Sequence, residues 1–177
     1  MLTVGAVIVV TGPPGAGKST VAALLADLLD PSALVMGDDF FGFLRNGAIA
    51  PWLVEADQQN TAVIQAAAAA SGRLAACCSV IYDGVVGPWF LPVFLEASGL
   101  KHLLYAMLLP PLAVCLERVG SREGHGFTDR DAAEHMWREF HRADIDPRHV
   151  LGDQDIELAE IAQSLADRVK DGTIRYP

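Results

Sequence analysis

The nine residues GPPGAGKST, Gly12 to Thr20, constrain this chain more than any other stretch. They satisfy G-x-x-x-x-G-K-[ST] through Gly12, Gly17, Lys18 and Ser19, and they sit in the context that pattern requires. AVIVV (6–10) runs before them, rich in β-branched residues, and predicts a buried strand. STVAALLADLL (19–29) follows, with helical spacing and good helix formers. Gly12, Gly15 and Gly17 admit backbone angles closed to other residues and let amides approach an anion. The helix opening near Gly17 turns its free N–H groups and the positive end of its dipole toward that anion. Lys18 supplies a point charge for the β- and γ-phosphates, and Ser19 a hydroxyl for Mg²⁺. Gly12, Pro13, Pro14, Gly15, Ala16, Gly17, Lys18, Ser19 and Thr20 are therefore the expected nucleotide-binding residues. A glycine-rich turn that binds nothing is the bland alternative. A dinucleotide fingerprint fits worse, since Lys18 and Ser19 displace its third glycine.

The rest of the chain alternates in the same way. SALVM (32–36), CSVIYD (78–83), HLLYAMLL (102–109) and RHVL (148–151) read as further strands. Helical patterns fall over 55–71, from about Pro88 to Gly99, and over 111–119, 128–143 and 156–169. Thr128 and Asp131 have the spacing of a capping box at the start of the fourth of these. Strand–helix alternation predicts a parallel sheet covered by helices on both faces. No repeat or linker divides the chain, and 177 residues suit one domain. The alanine run 66–70 is composition bias inside a helix.

Charge limits the partners. There are 13 basic residues against 22 acidic ones, net −9, with no basic cluster. A polynucleotide partner is thereby disfavoured, since phosphate backbones demand a Lys/Arg face. One bound nucleotide is not, because a single loop holds it. Cys77, Cys78 and Cys115 are odd in number and lack metal spacing, which fits a reducing compartment. The run 6–10 is too short for a signal core or membrane span. A cytoplasmic protein with no membrane partner is the expectation.

Three acids decide the reaction class. Asp83 ends the third strand in VIYDG, and Asp38 and Asp39 follow the second in VMGDDFFGF. In a doubly wound sheet, ligands sit beyond the carboxyl ends of the strands, where the glycine loop also lies. Asp83 suits a role at the metal's water shell, against the alternative of an ordinary Asp-Gly turn. Asp38 can cap the helix that holds FFGFL, and Asp39 can face the loop as base or substrate clamp. No N-K-x-D guanine-reading stretch occurs, so a GTPase is disfavoured.

GPPGAGKST, GDD after the second strand, VIYDG, and CLERVGSR after the fourth together resemble small P-loop kinases. The pattern is most similar to chloramphenicol-phosphotransferase-like kinases and related predicted AAA-type ATPases or kinases. Shikimate, gluconate and polynucleotide kinases and zeta toxins share the layout more loosely. The resemblance covers about residues 6–169 and implies a three-layer α/β P-loop NTPase domain with a parallel sheet of about five strands. It implies ATP and Mg²⁺ as cofactors, with Ser19 and Asp83 at the metal. It implies that the aspartate after the second strand, by position Asp39, takes the acceptor's proton. Several relatives carry D-x-D there, and its first acid falls on Gly37 in this chain. Arg118 and Arg122 stand four apart where such kinases place lid arginines, next to a glycine-flanked GHGF hinge with His125. The catalytic candidates are thus Lys18, Asp39, Arg118 and Arg122. HVLGDQD (149–155) precedes the last helix, where this class contacts adenine.

The acceptor side is thinner. Arg45, Gln58 and Gln59 can bind polar groups of a substrate, and Trp89, six residues past Asp83, can wall a pocket. Core packing is the expectation for Trp52 and Trp89 alike. The function expected is phosphoryl transfer from Mg-ATP to a hydroxyl of an unidentified small molecule. Its rivals are a simple NTPase and a non-enzymatic nucleotide sensor.

Overall fold

The structure, a computed structural model, describes residues 5–121, 129–152 and 156–177. The chain runs β1 (Val7–Thr11), α1 (Lys18–Leu28), β2 (Ser32–Met36), α2 (Gly37–Gly42) and α3 (Asp57–Leu74). It continues with β3 (Ser79–Asp83), α4 (Leu91–Ser98), β4 (Leu103–Leu108), α5 (Leu112–Ser121) and α6 (Arg130–Arg142). It ends with β5 (Val150–Leu151), α7 (Leu158–Asp171) and β6 (Arg175–Tyr176). Short 3₁₀ turns at Val54–Ala56, Pro88–Phe90 and Pro147–His149 lead into α3, α4 and β5.

Five strands are parallel, in the order β2-β3-β1-β4-β5, and β6 adds antiparallel to β4. Strands β1, β3 and β4 are buried along their whole length, which is why they read as unbroken apolar runs. Their alternate residues fill two separate cores. Val7, Val9, Val80, Tyr82 and Tyr105 meet Ile64 and Ala67 of α3, Phe94 of α4 and Phe140 of α6. Ile8, Val10, Ile81 and Ala106 meet Val21 and Leu25 of α1 and Leu165 and Val169 of α7. The sheet therefore has helices on both faces, in three layers. Ala67 and Ala68 of the alanine run are fully buried, so part of that run is core.

The chain leaves β1 to α1 on one face and β3 to α4 on the other. Between these two adjacent strands the connections diverge to opposite faces, which is the switch point at whose carboxyl edge open α/β sheets take their ligands. The register Val10↔Asp83 and Met36↔Asp83 brings the ends of β1, β2 and β3 level there.

Three expectations change. The strand expected at 148–151 is only Val150–Leu151, because Asp146 accepts the Arg148 N–H at 3.0 Å and Pro147 starts a 3₁₀ turn. β6 is two residues long, too short to leave an alternation signal. Helix α6 is capped by Asp129, whose Oδ1 accepts from the Asp131 and Ala132 amides at 3.0 Å each. Thr128, the expected cap, lies outside the described residues.

Candidate active site

The phosphate loop spans β1 and α1. At Gly12 (φ 147°) a side chain would strike the Leu108 carbonyl, and at Gly15 (φ 80°) the Cys115 carbonyl. β4 and α5 thus press on the loop from one side, and glycine alone meets both demands, positive φ and close approach. Ala16 N–H donates to the Pro13 carbonyl at 3.2 Å, closing the turn. Lys18 Nζ donates to the same carbonyl at 3.1 Å, folded over the loop. Gly17 is the left-handed N-cap of α1, with no side-chain cap bond and no acid in the first turn. The first-turn amides therefore keep a positive field that no side chain of the helix cancels. Ser19 and Thr20 are exposed on that turn.

Arg118, in the last turn of α5, donates from Nη1 to the Gly15 carbonyl at 3.3 Å. Helix α5 thereby puts one arginine against the loop. Cys115 lies one turn earlier and is buried, which pushes its thiol up to about 11, although Lys18 and Arg118 both pull it down. It stays protonated and inert at neutral pH. Arg122, His125 and the GHGF stretch lie outside the described residues.

Asp83 is 7% exposed at the carboxyl edge. The loop after it is fixed from two neighbouring strands. Thr11 Oγ1 accepts the Val86 N–H at 2.8 Å, and the Tyr105 hydroxyl donates to the Val86 carbonyl at 2.9 Å. Sequence reading missed both residues. Thr11 carries a signal, a polar residue ending an apolar strand, while Tyr105 looks like ordinary core.

The acid pair does not act as a cap. Helix α2 has Met36 at its N-cap with no side-chain cap bond, and Asp38 and Asp39 both stand inside its first turn. The capping role expected for Asp38 is thereby overturned. The Tyr82 hydroxyl lies directly beneath Gly37, where any side chain would collide with it. Burial pushes that phenol well above its ordinary range, and the charges of Asp38 and then Asp83 push it further.

On the far side of the loop, Ala16, Val114, Arg118, Gly152, Ile156 and Leu158 line a small cavity of about 20 Å³. Its lining is apolar apart from the Arg118 guanidinium, and it would have to widen to admit anything larger than water. Asp153, Gln154 and Asp155 of the expected adenine stretch lie outside the described residues.

The expected substrate residues fare unevenly. Gln59 is committed to its own chain: its Oε1 accepts the Ile49 N–H at 2.8 Å and its Nε2 donates to the Ile49 carbonyl at 2.7 Å. Arg45 and Gln58 are exposed. Trp52 and Trp89 are 40% and 45% exposed, so neither is a core residue as expected. Trp89 covers Gly87 and packs its ring 5.2 Å from Phe140. Among the described residues no three His, Cys, Asp or Glu side chains form a metal cage. Mg²⁺ does not require one, since it takes one or two protein oxygens with phosphate and water. The hard-oxygen set of Ser19 and Asp83 fits that chemistry.

No family model matches the chain, and no curated protein is similar to it in sequence. Solved structures are similar over nearly its whole length. The tunicamycin resistance protein of Deinococcus radiodurans superimposes with TM-score 0.70 at 20% identity, covering 93% of this chain and 95% of that one. The APS kinase of Mycobacterium tuberculosis, solved with AMPPNP and APS, gives 0.67 at 17%, covering 94% and 98%. A gluconokinase from Sinorhizobium meliloti 1021 gives 0.65 at 21%, covering 98% and 95%. At such identities the likeness is one of fold. The chain has the three-layer α/β P-loop NTPase fold, as the motif order predicts. No helix among the described residues is long and apolar enough to cross a membrane.

Proposed function

We propose that this chain is an ATP-dependent phosphotransferase that moves the γ-phosphoryl group of Mg-ATP to a hydroxyl of a small molecule. The observation that carries the reading is the meeting, at one switch point, of a loop built for an anion with carboxylates from two neighbouring strands. Residues 12–20 hold the phosphates, with Lys18 swinging from the Pro13 carbonyl onto the β- and γ-oxygens. Ser19 and Asp83 would hold Mg²⁺, directly or through its water, and bound there it would neutralise charge on the transferred group. Arg118 already touches the loop at Gly15 and turns its free guanidinium N–H groups to the phosphoryl oxygens. Arg122 is proposed beside it as a second lid cation.

Both acids are exposed, and the charge of Asp38, with that of Asp83, acts on the Tyr82 phenol. We propose Asp38 as the base, where the sequence pattern points to Asp39, and Asp39 as the clamp on the acceptor. In the transfer, the bond from the γ-phosphorus to the β–γ bridging oxygen breaks and ADP leaves. A bond from phosphorus to the acceptor oxygen forms, and the hydroxyl proton passes to Asp38. The neighbours described as kinases in their own right support this reading at the level of fold.

The test is ADP release from ATP over a library of hydroxylated compounds, each run against a no-acceptor control. Release that depends on an acceptor is the expected result. Release that is equal without one replaces the kinase by a simple NTPase.

A further inference from the structure

Tyr82 is the next-to-last residue of β3, 2% exposed, and its ring packs edge-on against Phe94 with centroids 4.9 Å apart. Val35, Val86 and Leu91 stand in the same apolar core. A phenylalanine would fill that place as well, so the hydroxyl is the part that packing does not explain.

The hydroxyl has a definite position. A side chain begun at Gly37 would collide with it, and one begun at Gly84 would come within 2.8 Å. Gly37 opens α2 and stands next to the acid pair, and Gly84 follows Asp83. The oxygen is therefore lodged between the two backbones that carry Asp38, Asp39 and Asp83. Neither glycine has a positive φ, so backbone angle does not call for glycine at either position. Room does: the Tyr82 phenol occupies the space of both side chains. β2 and β3 are paired with Met36 opposite Asp83, which fixes the strand ends, and the seat of α2 above them is set by what lies under Gly37. Burial, and then the charges of Asp38 and Asp83, hold the phenol above its ordinary range. It keeps its proton and adds no charge between the acids.

We infer that Tyr82 is a positioning residue of the phosphoryl transfer: its hydroxyl is a spacer beneath Gly37 that sets how far the acid pair stands from Asp83. This rests on the kinase reading, in which Asp83 serves the metal and the acid pair serves the acceptor. In-line transfer needs those carboxylates at a set separation, and a misplacement of about 1 Å can cost about 10²-fold in rate. Tyr82 acts through the backbone of α2 and needs no contact with the acceptor.

The test is a cycle of Tyr82→Phe, Gly37→Ala and the double variant in the full chain. Two quantities are read: thermal unfolding, and ADP release from Mg-ATP with water as the acceptor, which needs no identified substrate. Gly37→Ala drives a methyl group into the hydroxyl and lowers the unfolding temperature by roughly 2–10 °C. Tyr82→Phe keeps the ring, so it unfolds within a few degrees of the parent. Its kcat falls roughly tenfold as α2 settles into the vacated space, while KM for ATP is unchanged. In the double variant the methyl takes the place of the oxygen. Half or more of the unfolding loss disappears, and kcat recovers severalfold over Tyr82→Phe. Gly84→Ala meets ring carbon Cε1 as closely as the oxygen, so Tyr82→Phe gives it no such relief. A parental kcat in Tyr82→Phe, a joint fall of kcat and ATP affinity, or a double variant no better than the summed single changes overturns the inference. So does a Gly37→Ala that unfolds and turns over like the parent. No ADP release by the parent, with water or any acceptor, removes the kinase reading and the role in transfer with it, whereas the unfolding cycle still reports on the contact.

Discussion

The phosphate loop at 12–17 and the segment at 43–56 lie at the same edge of the sheet and are held there by different means. The loop is shaped by its own backbone: positive-φ glycines, an Ala16–Pro13 turn, and the carbonyls of Leu108 and Cys115 pressed against it. Residue identity at each position is therefore dictated locally. Segment 43–56 is shaped from outside, by the side chains of Gln59 and Asn60 reaching back from α3. One region is fixed by its own backbone, and the other is held by two anchoring side chains.

The sharpest way to break the contrast is at the acids between the two regions. Asp38→Asn should lower acceptor phosphorylation by about 10²–10⁴, the usual worth of a general base. ATP binding should survive, because the amide keeps the size of the side chain. Asp39→Asn should cost far less in kcat and raise the acceptor KM. Rates measured for both variants against one acceptor decide the matter. A reversed order returns the base to Asp39.

Lys18→Ala strikes the nucleotide side alone. Turnover should fall by about 10²–10³, as for loss of one preorganised donor, and ATP binding should weaken. Nucleotide titration and steady-state rates check this. Normal values for both would remove the phosphate-loop assignment.

Gln59→Ala strikes segment 43–56 alone. It deletes two hydrogen bonds worth about 0.5–1.5 kcal/mol each when fully formed, at the low end here because the site is exposed. The acceptor KM should rise severalfold while the ATP KM stays put. Backbone amide exchange should quicken at Ile49. Equal changes in both KM values would mean that the two regions are coupled after all.

The smallest expected effect is on thiol labelling. Cys77 is exposed and Cys115 buried under the loop, so iodoacetamide should modify Cys77 first in the native protein. Gly15→Ala forces α5 off the Cys115 contact and should bring Cys115 labelling forward. A labelling order that ignores this substitution would show that the loop is not braced by α5.

The glycine loop was legible in the sequence because its backbone depends on residue types at fixed spacing. Only glycine accepts both the positive φ and the close approach of the Leu108 and Cys115 carbonyls. The strands were legible for a similar reason: burial on both faces of β1, β3 and β4 leaves mostly apolar residues, with Thr11, Ser79 and Asp83 at strand ends. What the tertiary structure decided came from contacts distant in sequence. Tyr82 lies beneath Gly37 and leaves no room for a side chain there, which spacing alone could not show. Thr11 and Tyr105 meet at Val86 across three strands. Trp52 and Trp89 look like core by residue type, yet packing leaves both near half-exposed. Local backbone geometry is written in single residues, whereas the partner that a side chain meets is fixed by how the layers close.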